Sequence, residues 1–352
     1  MKVVVVGDAP VSEDLLAEAA AKLSINEPFT ITKLHWGSDS RQEFQKRALN
    51  IEKNGPSVEV PPSELVRELE DTDFLFVHFC PLSAETISHG KKLQLIGTCR
   101  GGLEHIDIQA ATAARIPVFH VIRNAEATSD FAIGLMFAET RNIARGHAAL
   151  KNGEWRKEYP NAAYTSAIKD LVLGVVGFGN IGKLVAKKCL GLGMTVLVHD
   201  PFVKQADIDK LGINAKLVSQ SELFQTADIV SLHLRLTPET EGIINKDLLG
   251  LMKPSAYLIN TSRAGVVKKE DLIEALHNRS IGGAALDVFW DEPLSSDDPI
   301  LKLDNLTVTP HLAGNVVDAL PKSPKLLIDT INLYWEKGFS DMLVNAKDLT
   351  SS

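Results

Sequence analysis

Cysteine is scarce in this chain. Only Cys80, Cys99 and Cys189 occur, with no C-x-x-C pair among them. That excludes a disulfide scaffold and offers no cysteine-based metal spacing; no metal is expected, and a reducing compartment suits so sparse a count. Basic charge is also short. Lys and Arg number 37 against 45 Asp and Glu, a formal balance of −8, so the cationic footprint of a nucleic-acid binder is missing. Apolar runs are all short of the ~18 residues a membrane helix needs. The N-terminus offers only Val3 to Val6 before Gly7-Asp8, which reads as a first strand and not as a signal peptide. A cytoplasmic protein with neither a nucleic-acid nor a membrane partner is expected.

What is present is a 45% apolar, 23% charged chain of 352 residues, too long for one ordinary core and therefore expected to form two domains. The stretch Leu171 to Pro201 organises it. Leu171 to Val176 is a valine-rich run too short for a helix and reads as a buried strand. Gly177-Phe178-Gly179-Asn180-Ile181-Gly182 follows, matching G-x-G-x-x-G where strand gives way to helix. In such a motif Gly177 makes the tight turn, Gly179 lets a pyrophosphate approach, and Gly182 lets helix and strand pack closely. A second strand, Met194 to Val198, leads into Asp200, eighteen residues after Gly182. A carboxylate there accepts hydrogen bonds from an adenosine ribose and repels a 2′-phosphate, so NAD is the expected cofactor.

Strands and helices alternate on both sides of that stretch. Five β/α units precede it, at Val3–Val6, Phe29–Leu34, Phe74–Phe79, Leu93–Gly97 and Pro117–Val121, while residues 37 to 60 read as a polar, irregular surface excursion with at most a short helix around Phe44 to Leu49. Asn124 to His147 is expected as one long connecting helix. After Asp200 the alternation resumes and completes a six-stranded domain ending near Thr309. Leu327, Ile331 and Tyr334 mark a C-terminal helix that returns to the first domain. The fold class is therefore α/β, with a flavodoxin-like doubly wound domain at 1–121 plus 316–352 and a Rossmann domain at 122–315.

Three apolar strands of the second domain end in polar residues, on the edge where open parallel sheets bind ligands. Thr261-Ser262-Arg263 follows Leu258–Asn260, and Arg263 suits a bidentate grip on a carboxylate. Asp287 interrupts the apolar run 284–290, with Glu292 a few residues on. His311 follows Val308-Thr309-Pro310. A cation, an acid and an imidazole at successive strand ends are the set that oxidation of a hydroxy acid needs.

At these residues the chain resembles the D-isomer-specific 2-hydroxyacid dehydrogenases. The likeness covers Phe74 to Tyr334 and rests on GGLEHID, GFGNIG with Asp200, HLRLTPET, NTSRAGVV, ALDVFWDEP and TPHLAG. It implies that Arg263 binds the substrate carboxylate, His311 is the acid/base and Glu292 is its partner. Gly101 and Gly102 would add backbone N–H donors for the same carboxylate, and Cys80 lies on the loop that touches substrate. Asn180, Ile181, Asp200, Leu234, Thr261, Ser262, Asp287 and Gly314 fall at cofactor positions. The resemblance further implies a homodimer. It leaves one alternative, a corepressor-like protein that binds NAD(H) without turning over a substrate. The family often has Arg-Ser-x-Thr where this chain has His78-Phe79-Cys80-Pro81, so a phosphorylated substrate loses that basic help unless Arg100, Arg123 or His105 replaces it.

Overall fold

A computed structural model describes residues 1–349. The chain divides into two compact units, Met1–Arg123 together with the chain from Val316 onward, and Asn124–Asn315.

The first unit holds β1 (Lys2–Gly7), β2 (Thr30–His35), β3 (Phe74–Val77), β4 (Leu95–Thr98) and β5 (Val118–Phe119) in one parallel sheet of order β2-β1-β3-β4-β5. This is the flavodoxin-like winding. The middle strands are buried on both faces, which is why they read as unbroken apolar runs with no alternation. The C-terminal helix Ala319–Lys337 buries Leu327, Ile328 and Ile331 in the cluster that holds Leu16, Phe76 and Leu95. Asn345 then ties the chain to the sheet, accepting from Val118 N at 3.0 Å and donating to Ile116 O at 2.9 Å.

Residues 37–60 are not an irregular excursion. They contain the fourteen-residue helix Arg41–Asn54, capped by Ser40, whose side chain accepts from Glu43 N. Its core-facing residues are few: Ala48 and Ile51 are buried, and Phe44 packs edge-on against Phe79 with ring centroids 5.6 Å apart. Those three lie at i, i+4 and i+7, one stripe on an otherwise polar helix.

The second unit holds β6 (Val172–Val176), β7 (Thr195–His199), β8 (Lys216–Leu217), β9 (Ile229–Leu232), β10 (Tyr257–Asn260), β11 (Gly283–Leu286) and β12 (Leu306–Val308). All are parallel, in the order β12-β11-β10-β9-β6-β7-β8. Seven strands replace the six expected. The addition is the two-residue edge strand β8, too short to register as a periodic signal. The sheet reverses direction between β6 and β9, the winding of a Rossmann domain.

The expected single connecting helix is two, Ala125–Thr140 and Ile143–Lys151. Asn142 interrupts them in the left-handed region, φ 57°, where asparagine is tolerated better than most residues. Arg145 stabilises the break by donating to Asn142 Oδ1 at 3.0 Å and to Glu139 O at 3.2 Å.

The helix at 41–54 makes the most direct test of this packing. Ile51→Ala removes a fully buried side chain and should cost about 2–5 kcal/mol; Leu49→Ala, at a half-exposed site, should stay within about 0.5 kcal/mol. Equal losses in chemical denaturation would contradict the assigned face.

Candidate active site

The fingerprint turns as its glycines require. Gly177 has φ 91°, and a Cβ there would sit 2.7 Å from His233 O. A Cβ on Gly182 would lie 2.1 Å from Gly177 O, so strand and helix meet too closely for any side chain. Gly179 differs, because a Cβ would meet nothing within 4 Å. Gly179 is the N-cap of helix Asn180–Gly191, and no side chain caps that end. Uncapped N–H groups beside open space make a phosphate cradle.

Asp200 joins this cradle to β7. Its Oδ2 accepts from Phe178 N at 2.8 Å and its Oδ1 from Phe202 N at 2.9 Å, and each oxygen retains a lone pair for a ribose hydroxyl. Leu234 closes the turn, its Cδ2 being 3.2 Å from the Cβ position of Gly177. Thr261 is buried, and its Oγ1 has no protein partner. Asn180 and Ile181 are partly exposed at the helix start. The orphaned hydroxyl, the uncapped helix and the carboxylate all fit a dinucleotide.

Arg263 stands on a turn that Asn260 holds rigid. Asn260 donates to Arg263 O at 2.9 Å and accepts from Ser262 N and Ser262 Oγ at 3.0 and 2.8 Å. The sequence signal for Asn260 was a polar residue closing a buried strand, and its positioning role was missed. The guanidinium is exposed, with Nη1 donating to Ser262 O at 2.7 Å.

Asp287 is fully buried at the end of β11 and has three donors. Thr309 Oγ1 donates to it at 2.6 Å, Leu312 N at 2.9 Å and Ala313 N at 2.7 Å. These bonds clamp the loop 309–313 on both sides of His311. Thr309, also missed, is part of that clamp. His311 has φ 54°, a region L-residues rarely adopt, so the clamp holds a conformation that costs of order 1–3 kcal/mol. Gly314 follows, where a Cβ would lie 2.8 Å from Asn124 Nδ2.

Glu292 completes the group. Its Oε1 accepts from Phe289 N at 2.9 Å and its Oε2 meets His311 Nδ1 at 2.8 Å. Burial alone would raise the Glu292 carboxyl, but His311, the Phe289 amide and the nearby Arg263 charge outweigh it and hold the group below the ordinary range. Nε2 is left as the imidazole nitrogen that faces outward to chemistry. Both side chains line a cavity of about 480 Å³ walled by Phe289, Leu294, Leu301 and Pro310.

The remaining expected residues belong to the first unit. Gly101 and Gly102 are partly exposed on the loop after β4. The Cys80 side chain is fully buried in the core with Val77 and Leu82, and burial pushes its thiol well above the usual range. The proline at 81 marked a loop correctly, but the cysteine before it turns inward. No group of His, Cys, Asp or Glu among the described residues could hold a metal ion, and no described helix is long and apolar enough to cross a membrane.

A parallel sheet with a glycine-lined phosphate cradle, an acid at the end of the next strand and an imidazole–carboxylate pair marks a dinucleotide-binding domain. Residues 133–313 match the family model for the NAD binding domain of D-isomer specific 2-hydroxyacid dehydrogenases. A glyoxylate reductase from Thermofilum pendens is 36% identical over 271 residues, 76% of this chain and 80% of that protein. A D-3-phosphoglycerate dehydrogenase from Archaeoglobus fulgidus is also 36% identical, over 76% of this chain but only 51% of its own length. The chain spans about half the length of the phosphoglycerate dehydrogenases it matches. A D-lactate dehydrogenase from Aquifex aeolicus, solved with NAD and lactic acid, superposes with a TM-score of 0.56 at 26% identity, covering 95% of this chain and 96% of that one. The chain belongs to the D-isomer specific 2-hydroxyacid dehydrogenase family.

Two glycine variants separate packing from ligand approach. Gly182→Ala should lower Tm and weaken NADH binding together. Gly179→Ala should leave Tm nearly unchanged and still weaken NADH by about tenfold or more, since a methyl group would intrude on the phosphates. Calorimetry and fluorescence titration of both variants measure this, and unaltered NADH affinity in Gly179→Ala would contradict the cradle.

Proposed function

We propose that the protein interconverts a 2-keto acid and its D-2-hydroxy acid with NAD(H). The observation that carries this reading is the His311–Glu292 pair at 2.8 Å, with Arg263 close enough to act on the same carboxylate. Relatives named for glyoxylate and lactate support a small keto acid.

In this reading Arg263 fixes the substrate carboxylate with its planar fork and polarises the keto oxygen. The bound nicotinamide supplies or accepts the hydride at C2. During reduction, His311 Nε2 gives its proton to the oxygen of the forming alcohol. During oxidation the neutral ring removes it. Glu292 keeps Nδ1 protonated and offsets the imidazolium charge as it forms. Asp287 positions His311 through its loop, and Thr261 with Ser262 borders the cofactor.

The reading includes a homodimer and a cytoplasmic location. Exposed Ile143, Leu150 and Trp155 on and after the second connecting helix support self-association; sedimentation at micromolar concentration reads it directly.

Three outcomes test the chemistry. NADH should support turnover far better than NADPH, and Asp200→Ala should narrow the gap; equal kcat/KM for both cofactors in the unmodified protein would defeat the assignment. Arg263→Lys keeps the charge and loses the fork, so KM for the keto acid should rise at least about tenfold with NADH affinity retained. His311→Gln should lower kcat by roughly 10²–10⁴, the usual contribution of a positioned acid/base.

The pH dependence follows from Glu292. A carboxyl held below its ordinary value of 4.5 keeps its charge above that pH and loses it only as pH falls through the lowered value. Acid loss of keto-acid reduction, the direction that uses the protonated ring, should therefore begin below pH 4.5 in the unmodified enzyme, whereas Glu292→Gln should show a reduced rate of reduction throughout. Loss of reduction on acidification that is already complete above pH 4.5 would be inconsistent with this.

A further inference from the structure

Glu292 lies on an exposed part of the chain. Between Val288 and Ile300 no residue is buried, and a segment with so little burial holds no position of its own. The bond from Phe289 N to the Glu292 carboxylate is internal to that segment and cannot place it. Among the described residues, two hydrogen bonds leave residues 289–297 for a distant part of the chain. One is the Glu292–His311 contact itself. The other belongs to Trp290, whose Nε1 donates to Val267 O at 2.9 Å.

Val267 is the far end of the turn that carries Arg263. Arg263 is the N-cap of the short 3₁₀ turn Ala264–Val266 and Val267 is its C-cap, with Val267 N donating to Ala264 O at 2.9 Å. Ala264, Val266 and Val267 are buried, and Ile244 N donates to Val266 O at 3.0 Å. The core therefore fixes this turn, whereas it does not fix the Glu292 loop. Trp290 packs against the same core cluster as Val266, Val267 and Leu272. Lys269, two residues past Val267, has its Nζ 5.9 Å from the Trp290 ring centroid, within cation–π range. The same ammonium donates to Asp298 at 2.9 Å. Asp298 in turn accepts from Ile300 N at 3.0 Å, where the chain becomes buried again. Residues 263–269 thus grip the loop near its start and at its end.

We propose that Trp290 is a positioning residue for proton transfer. Through Val267 it holds Glu292 in register between Arg263 and His311, and the Lys269–Asp298 ion pair secures the far end of the loop. Resting on the dehydrogenase reading above, this brace links the group that anchors the keto acid to the group that partners its proton donor. The two stand at the ends of different strands, β10 and β11, so nothing in the sheet itself sets their relation. An indole N–H can only donate, and a carbonyl can only accept, so the bond has one orientation. Phenylalanine at 290 would keep most of the ring packing and lose the bond.

The experiment separates position from stability. In Trp290→Phe, kcat for keto-acid reduction should fall about tenfold, while KM for the keto acid and NADH affinity stay within about twofold. Lys269→Met keeps the apolar stem, should give a smaller fall of the same kind, and guards against poor folding of Trp290→Phe. The deciding comparison repeats both changes in the Glu292→Gln background. There neither should lower kcat further, because the carboxylate being positioned is gone. Losses that multiply instead, or a rise in KM in place of the fall in kcat, overturn the assignment. An NMR titration of the Glu292 carboxyl, assigned by its absence in Glu292→Gln, reads the brace without turnover. Loosened from His311 and Arg263, the group should titrate closer to its ordinary value in Trp290→Phe than in the unmodified protein. An unmoved titration overturns the proposal. A shifted titration in a protein that reduces no keto acid sustains the brace and sinks the dehydrogenase reading instead.

Discussion

The buried carboxylate of Asp287 is the constraint on which the catalytic group depends. A carboxylate removed from water is costly unless donors replace the lost solvent. Here Thr309, Leu312 N and Ala313 N replace it, and all three lie on the one loop that carries His311. Desolvation cost is thereby converted into position. The same bonds sustain the left-handed backbone of His311, which fixes where the ring projects and lets Glu292 meet Nδ1. Removing the Asp287 charge would free a loop and misplace the imidazole, although Asp287 itself does not bond to it.

Both units exploit one property of parallel sheets, the delivery of chain ends to a common edge. In the second unit that edge collects the glycine turn, Asp200, Thr261, Arg263, Glu292 and His311. In the first it collects Asp8, His78, Thr98, Arg100 and Arg123. The two edges differ in how completely their polar groups are paired. Around His311 nearly every bond is made within the protein, apart from those a cofactor and substrate would supply. Around β1 and β3 the buried Nε2 of His78, Nδ1 of His105 and Nε of Arg100 have no partner within the protein.

Much of this was legible in the residues alone, for identifiable reasons. Apolar runs ending in Gly177, Thr261, Asp287 and His311 announce buried strands with ligand loops, because fully buried strands leave few other readings. The helix at 41–54 was legible only as a candidate short helix around Phe44 to Leu49, since three apolar positions on a polar background look like surface. The break at Asn142 was hidden because asparagine in a helical pattern is only weakly unfavourable. The burial of the Cys80 side chain was not legible, because a proline marks the loop without saying which way the preceding side chain turns. Asn260 and Thr309 act only through bonds to residues distant in space or around a turn, and no spacing rule encodes those.

The central claim is hydride transfer to C2 with proton delivery by His311, and isotopic labelling tests it most directly. The unmodified protein would be supplied with NADH deuterated at the transferring position and a 2-keto acid, and the product analysed by mass and by chirality. The account predicts one deuterium at C2 of a D-2-hydroxy acid, with formation all but lost in His311→Gln. Product without the label, product of the L configuration, or undiminished formation by His311→Gln would contradict it.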